Sequence, residues 1–197
     1  MEPKKDPTRD AYDQNAAQIA ERFWAIELLR QWDLFCAALP QEARVIDLGC
    51  GPGRDVAEFM RRGFWTTGLD YSAGLLCEAA RRAPAPYLRA NLRHLPFPPA
   101  VFDGAWFNAS LLHLPRQDAP YTLLGVRRIL KPGAVLYLSL KRGAGERWEK
   151  REGKRFFTYY QEDEIITLLE SIGFVITQFF IEPGKTVSWL NIFARKD

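Results

Sequence analysis

One segment constrains this chain more than any other. Arg44-Val-Ile-Asp-Leu is a short apolar run that reads as a buried strand, and it stops on glycines at 49, 51 and 53. Val56, Phe59 and Met60 then recur at helical spacing until Gly63. A strand, a glycine turn and a helix form half of a parallel crossover unit, and the unit repeats. Phe64 to Leu69 is strand-like and ends at Asp70, Ser72 can cap a helix through Arg82, and Tyr87 to Ala90 is a third short strand. Phe102 to Asn108 reads as a fourth strand, Ala119 to Leu130 as a helix, Lys131-Pro-Gly as a turn and Ala134 to Leu140 as a fifth strand. Strands alternating with helices at this spacing imply an α/β fold, a parallel sheet covered on both faces. Glu162 to Ser171 is helical. Two β-rich runs, Phe174 to Ile181 and Thr186 to Ala194, lie so close that they must pair as a hairpin and give the sheet an antiparallel edge.

The flanks are less regular. Residues 1 to 10, with Pro3 and Pro7, read as a loose tail, and Tyr12 to Leu39 as amphipathic helix in two pieces ended by Pro40. Lys141 to Tyr160 is charged and aromatic with little periodicity. With 197 residues, 47% of them hydrophobic, the chain suits one domain: residues 1–40 as tail and lid helices on a body of 41–197. Lys and Arg number 27 against 24 Asp and Glu, a formal +3 too mild to imply a nucleic-acid or membrane partner. The sequence shows no apolar run of membrane-spanning length, and its start lacks the pattern of a signal peptide, so a cytoplasmic protein is expected. Cys36, Cys50 and Cys77 are odd in number and widely spaced, and there are two histidines, which argues against a disulfide framework or a metal site.

In an open α/β sheet a ligand binds at the carboxyl ends of the strands, beside the point where strand order reverses. Asp47 and the glycines sit there, and Asp70 ends the next strand about 20 residues on, the position from which a carboxylate accepts both hydroxyls of a ribose. An adenosine-type ligand follows. The dinucleotide fingerprint is G-x-G-x-x-G, whereas Gly49-Cys-Gly-Pro-Gly brings the third glycine one position early. Asp47 beside the ligand's tail would repel a pyrophosphate and hold a cationic ammonium. The alternative is a tight turn with no ligand.

Val45-Ile-Asp-Leu-Gly-Cys-Gly-Pro-Gly-Arg-Asp and Gly68-Leu-Asp-Tyr-Ser resemble the first two motifs of the class I S-adenosylmethionine-dependent methyltransferases. Asn91-Leu-Arg-His-Leu-Pro-Phe with Phe102-Asp is similar to the family's third block, and Leu130-Lys-Pro-Gly-Ala to its turn before the fifth strand. The resemblance implies a Rossmann-like seven-stranded, mostly parallel sheet with an antiparallel C-terminal strand. It further implies S-adenosyl-L-methionine as cofactor, S-adenosyl-L-homocysteine as product, and methyl transfer as activity. Carried over by position, Asp47 and the backbone of Gly49, Cys50, Gly51 and Gly53 hold the methionine part. Asp70 takes the ribose, Tyr71 packs on adenine, and Leu92 offers its N–H. Asn91 replaces the usual acid yet keeps an oxygen for the adenine amino group. Asn108 falls at the methionine end and the acceptor path, or else caps the start of a loop.

A sulfonium methyl is already electrophilic, so catalysis is mainly positioning and exclusion of water. Three residues are weak catalytic candidates: Tyr12, Asn108 and His113. Tyr12-Asp-Gln-Asn-Ala resembles the lid stretch of similar proteins. His113 lies between leucines, where a packed or capping imidazole is expected rather than a base. In 141–160 the cations Lys141, Arg142, Arg147, Lys150, Arg151, Lys154 and Arg155 accompany Trp148, Phe156, Phe157, Tyr159 and Tyr160. That composition suits a planar or anionic small-molecule acceptor, or single-stranded RNA, or a solvated loop over a core stripe. A small-molecule methyltransferase leads; an RNA methyltransferase and a non-catalytic cofactor-binding protein are the alternatives. The residues specify neither the acceptor nor an oligomeric state.

Overall fold

Strands buried on two sides send alternate side chains into different cores. In the computed structural model, which describes residues 6–150 and 152–197, β1 (Arg44–Leu48) turns Ile46 and Leu48 to one side and Val45 to the other. Beside it run β2 (Trp65–Asp70), β3 (Tyr87–Arg89), β4 (Phe102–Asn108) and β5 (Leu130–Lys141), all parallel. The chain then forms a separate two-stranded ribbon, β6 (Glu146–Glu149) against β7 (Arg155–Thr158), and returns as β8 (Phe174–Pro183) and β9 (Ser188–Lys196). The seven-stranded sheet has the order β3-β2-β1-β4-β5-β9-β8, with β9 antiparallel to both neighbours. Strand order reverses between β1 and β4, which leaves a crevice at their carboxyl ends.

Helices α1 (Pro7–Gln14), α2 (Ala16–Trp24), α3 (Leu29–Ala37), α4 (Arg54–Arg61), α5 (Ala73–Arg82), α6 (Ala119–Ile129) and α7 (Glu162–Ser171) complete the chain. On one sheet face Trp32 and Phe35 of α3 and Phe59 of α4 pack on Val45, Trp106, Tyr137 and Phe193; Trp106 stacks on Tyr137 with centroids 3.9 Å apart. On the other, Leu123 and Val126 of α6 and Ile165 and Leu169 of α7 cover Ile46, Phe107, Leu136 and Ile192.

Four expectations are corrected. Residues 6–10 are not loose tail: Asp6 caps α1 by accepting from the Arg9 amide at 3.1 Å, and Pro7 takes the first helical position, where its missing N–H costs nothing. Residues 1–5 lie outside the described residues. Tyr12 to Leu39 holds three helices rather than two, because the Asn15 side chain bonds back to the Ala11 carbonyl at 2.8 Å and interrupts the first. Residues 141–160 are not aperiodic, since they contain the ribbon. Its turn carries Glu152 and Gly153 with φ of 56° and 88°, and Gly153 presses on α1, where a Cβ would stand 2.6 Å from the Ala11 Cβ. Lys131-Pro-Gly is a bulge within β5, with Leu130 paired to Phe102 and Val135 to Gly104.

Gly53 starts α4 at φ 82°, and a Cβ there would lie 2.6 Å from the Tyr87 hydroxyl and 3.0 Å from the Ala79 Cβ. Gly53→Ala is therefore expected to cost about 2–4 kcal/mol, the sum of left-handed strain and overpacking. Urea unfolding measures it, and a loss below about 0.5 kcal/mol would contradict this packing.

Candidate active site

The crevice is built largely from backbone. The amides of Gly49 and Cys50 both donate to the Leu69 carbonyl, at 2.7 and 3.0 Å, which ties the turn after β1 to the end of β2. The Gly51 amide donates to Asp70 Oδ2 and the Ser72 amide to Asp70 Oδ1, each at 2.8 Å. Gly49, at φ 79°, presses on Ser110 after β4, where a Cβ would come within 2.3 Å. Gly51, at φ 53°, is different: a Cβ there would meet nothing nearer than Phe23 at 3.9 Å. It faces a cavity of about 710 Å³ whose wall includes Gly49, Cys50, Gly51, Asp70, Tyr71 and Asn108. That volume suits a ligand of cofactor size.

Three carboxylates surround the turn. Burial pushes Asp70 up, and the amides of Ser72, Gly51 and Tyr71 oppose it. Asp55 at the start of α4 accepts from the indoles of Trp32 and Trp106, both at 2.9 Å, and from Arg54 at 2.8 Å. Asp47 is 1% exposed, and its Oδ2 has no hydrogen-bond partner. Burial first, then the charge of Asp55, hold its carboxyl well above the ordinary range.

Helix α1 roofs the cavity. Asp13 Oδ1 accepts from the Ser72 hydroxyl at 2.6 Å and the Gly74 amide at 2.9 Å, docking α1 on the N-terminus of α5. Tyr12 meets His113 Nε2 at 2.8 Å, and His113 Nδ1 meets the Phe156 carbonyl at 2.8 Å. A carbonyl only accepts, so Nδ1 carries the hydrogen and Nε2 accepts from Tyr12. Burial pushes His113 down to about 4, so the imidazole is neutral at physiological pH.

Of the residues named from sequence, Tyr12, Gly49, Cys50, Gly51, Asp70, Tyr71, Asn91, Leu92, Asn108 and His113 all line this cavity. Two do not. Asp47 lies behind the turn, on the β1 face that carries Val45, and Gly53 is enclosed by Tyr87 and Ala79. The turn thus separates Asp47 from the cavity. Asn91 Oδ1 already accepts from the Arg93 amide at 3.0 Å, and Asn108 reaches toward Asp55 at 3.5 Å. Sequence reasoning missed Asp13, Arg54 and Asp55; the acids stand in first or last helical turns and look like ordinary surface charge. The aromatics expected to offer a stacking platform are partly core, since Phe157, Tyr159 and Tyr160 are buried. Arg151 lies outside the described residues. Among the described residues no cluster suits a metal ion, and no helix is long and apolar enough to cross a membrane.

Residues 45–133 match the family model of a methyltransferase domain. Over that stretch the chain is similar to methyltransferase domains. A malonyl-acyl-carrier-protein O-methyltransferase of Enterobacter lignolyticus is 39% identical over 111 residues, 54% of this chain and 43% of that protein. The chain spans 38% to 62% of the length of four such relatives. Among solved structures, the 1,6-didemethyltoxoflavin N1-methyltransferase of Burkholderia thailandensis, with its substrate and S-adenosylhomocysteine bound, superposes with a TM-score of 0.79 at 22% identity, covering 100% of this chain and 92% of that one. The [4+2]-cyclase SpnF superposes with a TM-score of 0.78 at 19% identity, covering 98% and 97%. These two structures share the fold of this chain.

The unpartnered Asp47 has a consequence for stability. Its folded-state carboxyl holds a proton that the unfolded chain has lost above about pH 4, so wild-type stability falls as pH rises from there toward the folded-state value. Asp47→Asn removes that loss. The variant is expected to be more stable than wild type by about 1–3 kcal/mol at pH 7.5, with the difference shrinking toward pH 4.5. Melting curves at the two pH values check it, and a pH-independent difference would refute it.

Proposed function

We propose that this domain binds S-adenosylmethionine in the cavity and methylates a small-molecule acceptor. The observation that carries the reading is the pairing of an open Gly51 with a half-buried Asp70 at the crevice, a cradle of backbone beside a carboxylate. The residues fit the group. Asp70 accepts from the amides of Gly51, Ser72 and Tyr71 and would offer its remaining lone pair to the ribose. Tyr71 and Leu92 would hold the adenine, and Asn91 Oδ1, which accepts from the Arg93 amide, would offer its second lone pair to the adenine amino group. The backbone of Gly49, Cys50 and Gly51, with Asn108, borders the methionine portion.

When bound, S-adenosylmethionine supplies a methyl group on an electrophilic sulfonium. The chain's own part is to orient and to keep water out. Helix α1, held by Asp13 and Tyr12, closes the cavity from above. His113 is neutral with both nitrogens engaged, so it positions Tyr12 rather than removing a proton. The malonyl-acyl-carrier-protein and toxoflavin relatives act on small or carrier-borne acceptors by their names, which supports a small-molecule acceptor here. The buried aromatics of the ribbon and the segment after it weigh against RNA.

Calorimetry with S-adenosylhomocysteine tests the cofactor reading. Wild type is expected to bind it, and Asp70→Ala to lose about 1.5–3 kcal/mol, the scale of a hydrogen bond to a charged group. Unchanged affinity in the variant, or a preference of wild type for a nicotinamide dinucleotide, would overturn it.

A further inference from the structure

Strand register sets a polar row where the sheet meets the cavity. Asn108 of β4 pairs with Ser139 of β5, and Ser139 with Asn191 of β9, so three adjacent strands bring an uncharged polar side chain to one row of one face. The row two residues back is aromatic, Trp106, Tyr137 and Phe193. The opposite face of β5 and β9 is apolar there, with Leu138, Leu140, Leu190 and Ile192 all buried. Asn108, Ser139 and Asn191 all line the cavity. Asn108 falls to the cofactor's methionine portion. Ser139 and Asn191 lie beyond it in strand order, 3% and 2% exposed, and the cofactor's share does not include them. The ion pairs elsewhere on the lining are closed within the chain, Lys141 with Glu149, Arg54 with Asp55, and Arg22 and Arg155 with Glu152. What the cavity leaves open is therefore hydrogen bonding rather than charge.

Buried polar groups are stable only when their donors and acceptors find partners. The Tyr137 hydroxyl donates to Asn191 Oδ1 at 2.7 Å and is also within hydrogen-bonding reach of Ser139. With its own hydrogen committed to Asn191, the Tyr137 oxygen accepts from Ser139. Asn191 Nδ2 gives one N–H to the Trp189 carbonyl at 3.4 Å, which sets the orientation of the amide. Among the described residues this leaves one N–H of Asn191 and the lone pairs of Ser139 Oγ: a donor and an acceptor on cross-strand partners, about 5 Å apart at Cβ. Resting on the methyltransferase reading above, we propose that Ser139 and Asn191 form the acceptor subsite and take an uncharged lactam or amide edge. Its N–H donates to Ser139 Oγ and its carbonyl accepts from Asn191. Leu28 and Trp189, on the same lining, give apolar surface to the body that carries this edge. A carboxylate in the same place would lose its hydration against a row that has no charge to return.

Three probes of one shape separate the possibilities: carbostyril, a lactam fused to a benzene ring; N-methylcarbostyril, which lacks the N–H; and quinaldate, which carries a carboxylate. Each is titrated by calorimetry into the full chain with and without saturating S-adenosylhomocysteine. Carbostyril is expected to bind about tenfold more tightly than either of the others, the scale of one buried hydrogen bond. Its preference over N-methylcarbostyril should fall below about threefold in Ser139→Ala, while affinity for S-adenosylhomocysteine stays within about threefold of wild type. The paired variant Tyr137→Phe with Asn191→Leu removes a donor and its acceptor together, and should weaken both lactams at least about threefold. Ser139→Ala keeps the test valid if the paired variant does not fold. Equal binding of the three probes, no binding of carbostyril, tightest binding of quinaldate, or a preference that survives Ser139→Ala would overturn the subsite. Loss of S-adenosylhomocysteine affinity in Ser139→Ala would overturn it too, by giving the row to the cofactor. Wild type that fails to bind S-adenosylhomocysteine instead sinks the methyltransferase reading, and the titrations without it still report on the polar row.

Discussion

The structure depends on a backbone that passes through left-handed conformations three times in five residues, at 49, 51 and 53. Each has a different reason. Position 49 is closed by Ser110 and position 53 by Tyr87 and Ala79, so both lock the turn to neighbouring elements, while position 51 is open and shapes a surface. Asp70 completes the lock by holding the Gly51 amide from the next strand. Because the contact surface at the crevice is peptide backbone, its shape follows from the register of β1 and β2 rather than from side-chain rotamers.

Desolvation of acids is the second constraint. Asp55 is satisfied by two indoles and a guanidinium, and through Trp106 it joins the stacked aromatic core to the cavity wall. Trp106 sits under the sheet with its N–H needing a partner, and the carboxylate supplies one. Asp47, one turn of chain away, has no such partner on Oδ2. The two acids thus differ: Asp55 is paired and structural, while burial behind the turn pushes the carboxyl of Asp47 toward its protonated form.

What could be read from sequence was local. The parallel strands, the glycine turn, Asp70 and the Ser72 cap all follow from spacing and residue type over a dozen positions, and the C-terminal hairpin followed from the shortness of its connection. What could not be read joins residues far apart. Asp55 meets Trp106, 51 positions on, and Asp13 meets Ser72, 59 positions on. Neither acid differs in sequence from a solvated helix charge. The ribbon was hidden because its strands are four residues each and carry charges on both faces of the pattern. The Glu152-Gly153 turn was the available signal, and it was masked by the surrounding run of lysine and arginine. Asp47 was placed at the right end of the right strand, but strand alternation turned it under the loop instead of into the cavity.

Helix α1 is fastened at three separate points. Asp13 caps α5, Tyr12 reaches the imidazole after β4, and Thr8 accepts from the Phe156 amide of the ribbon at 3.0 Å. Releasing Asp13 would leave the Gly74 amide of α5 bare, while Ser72 still caps Leu75. One short helix therefore ties together the ribbon, the loop beyond β4 and the helix that follows Asp70 along a single edge of the cavity.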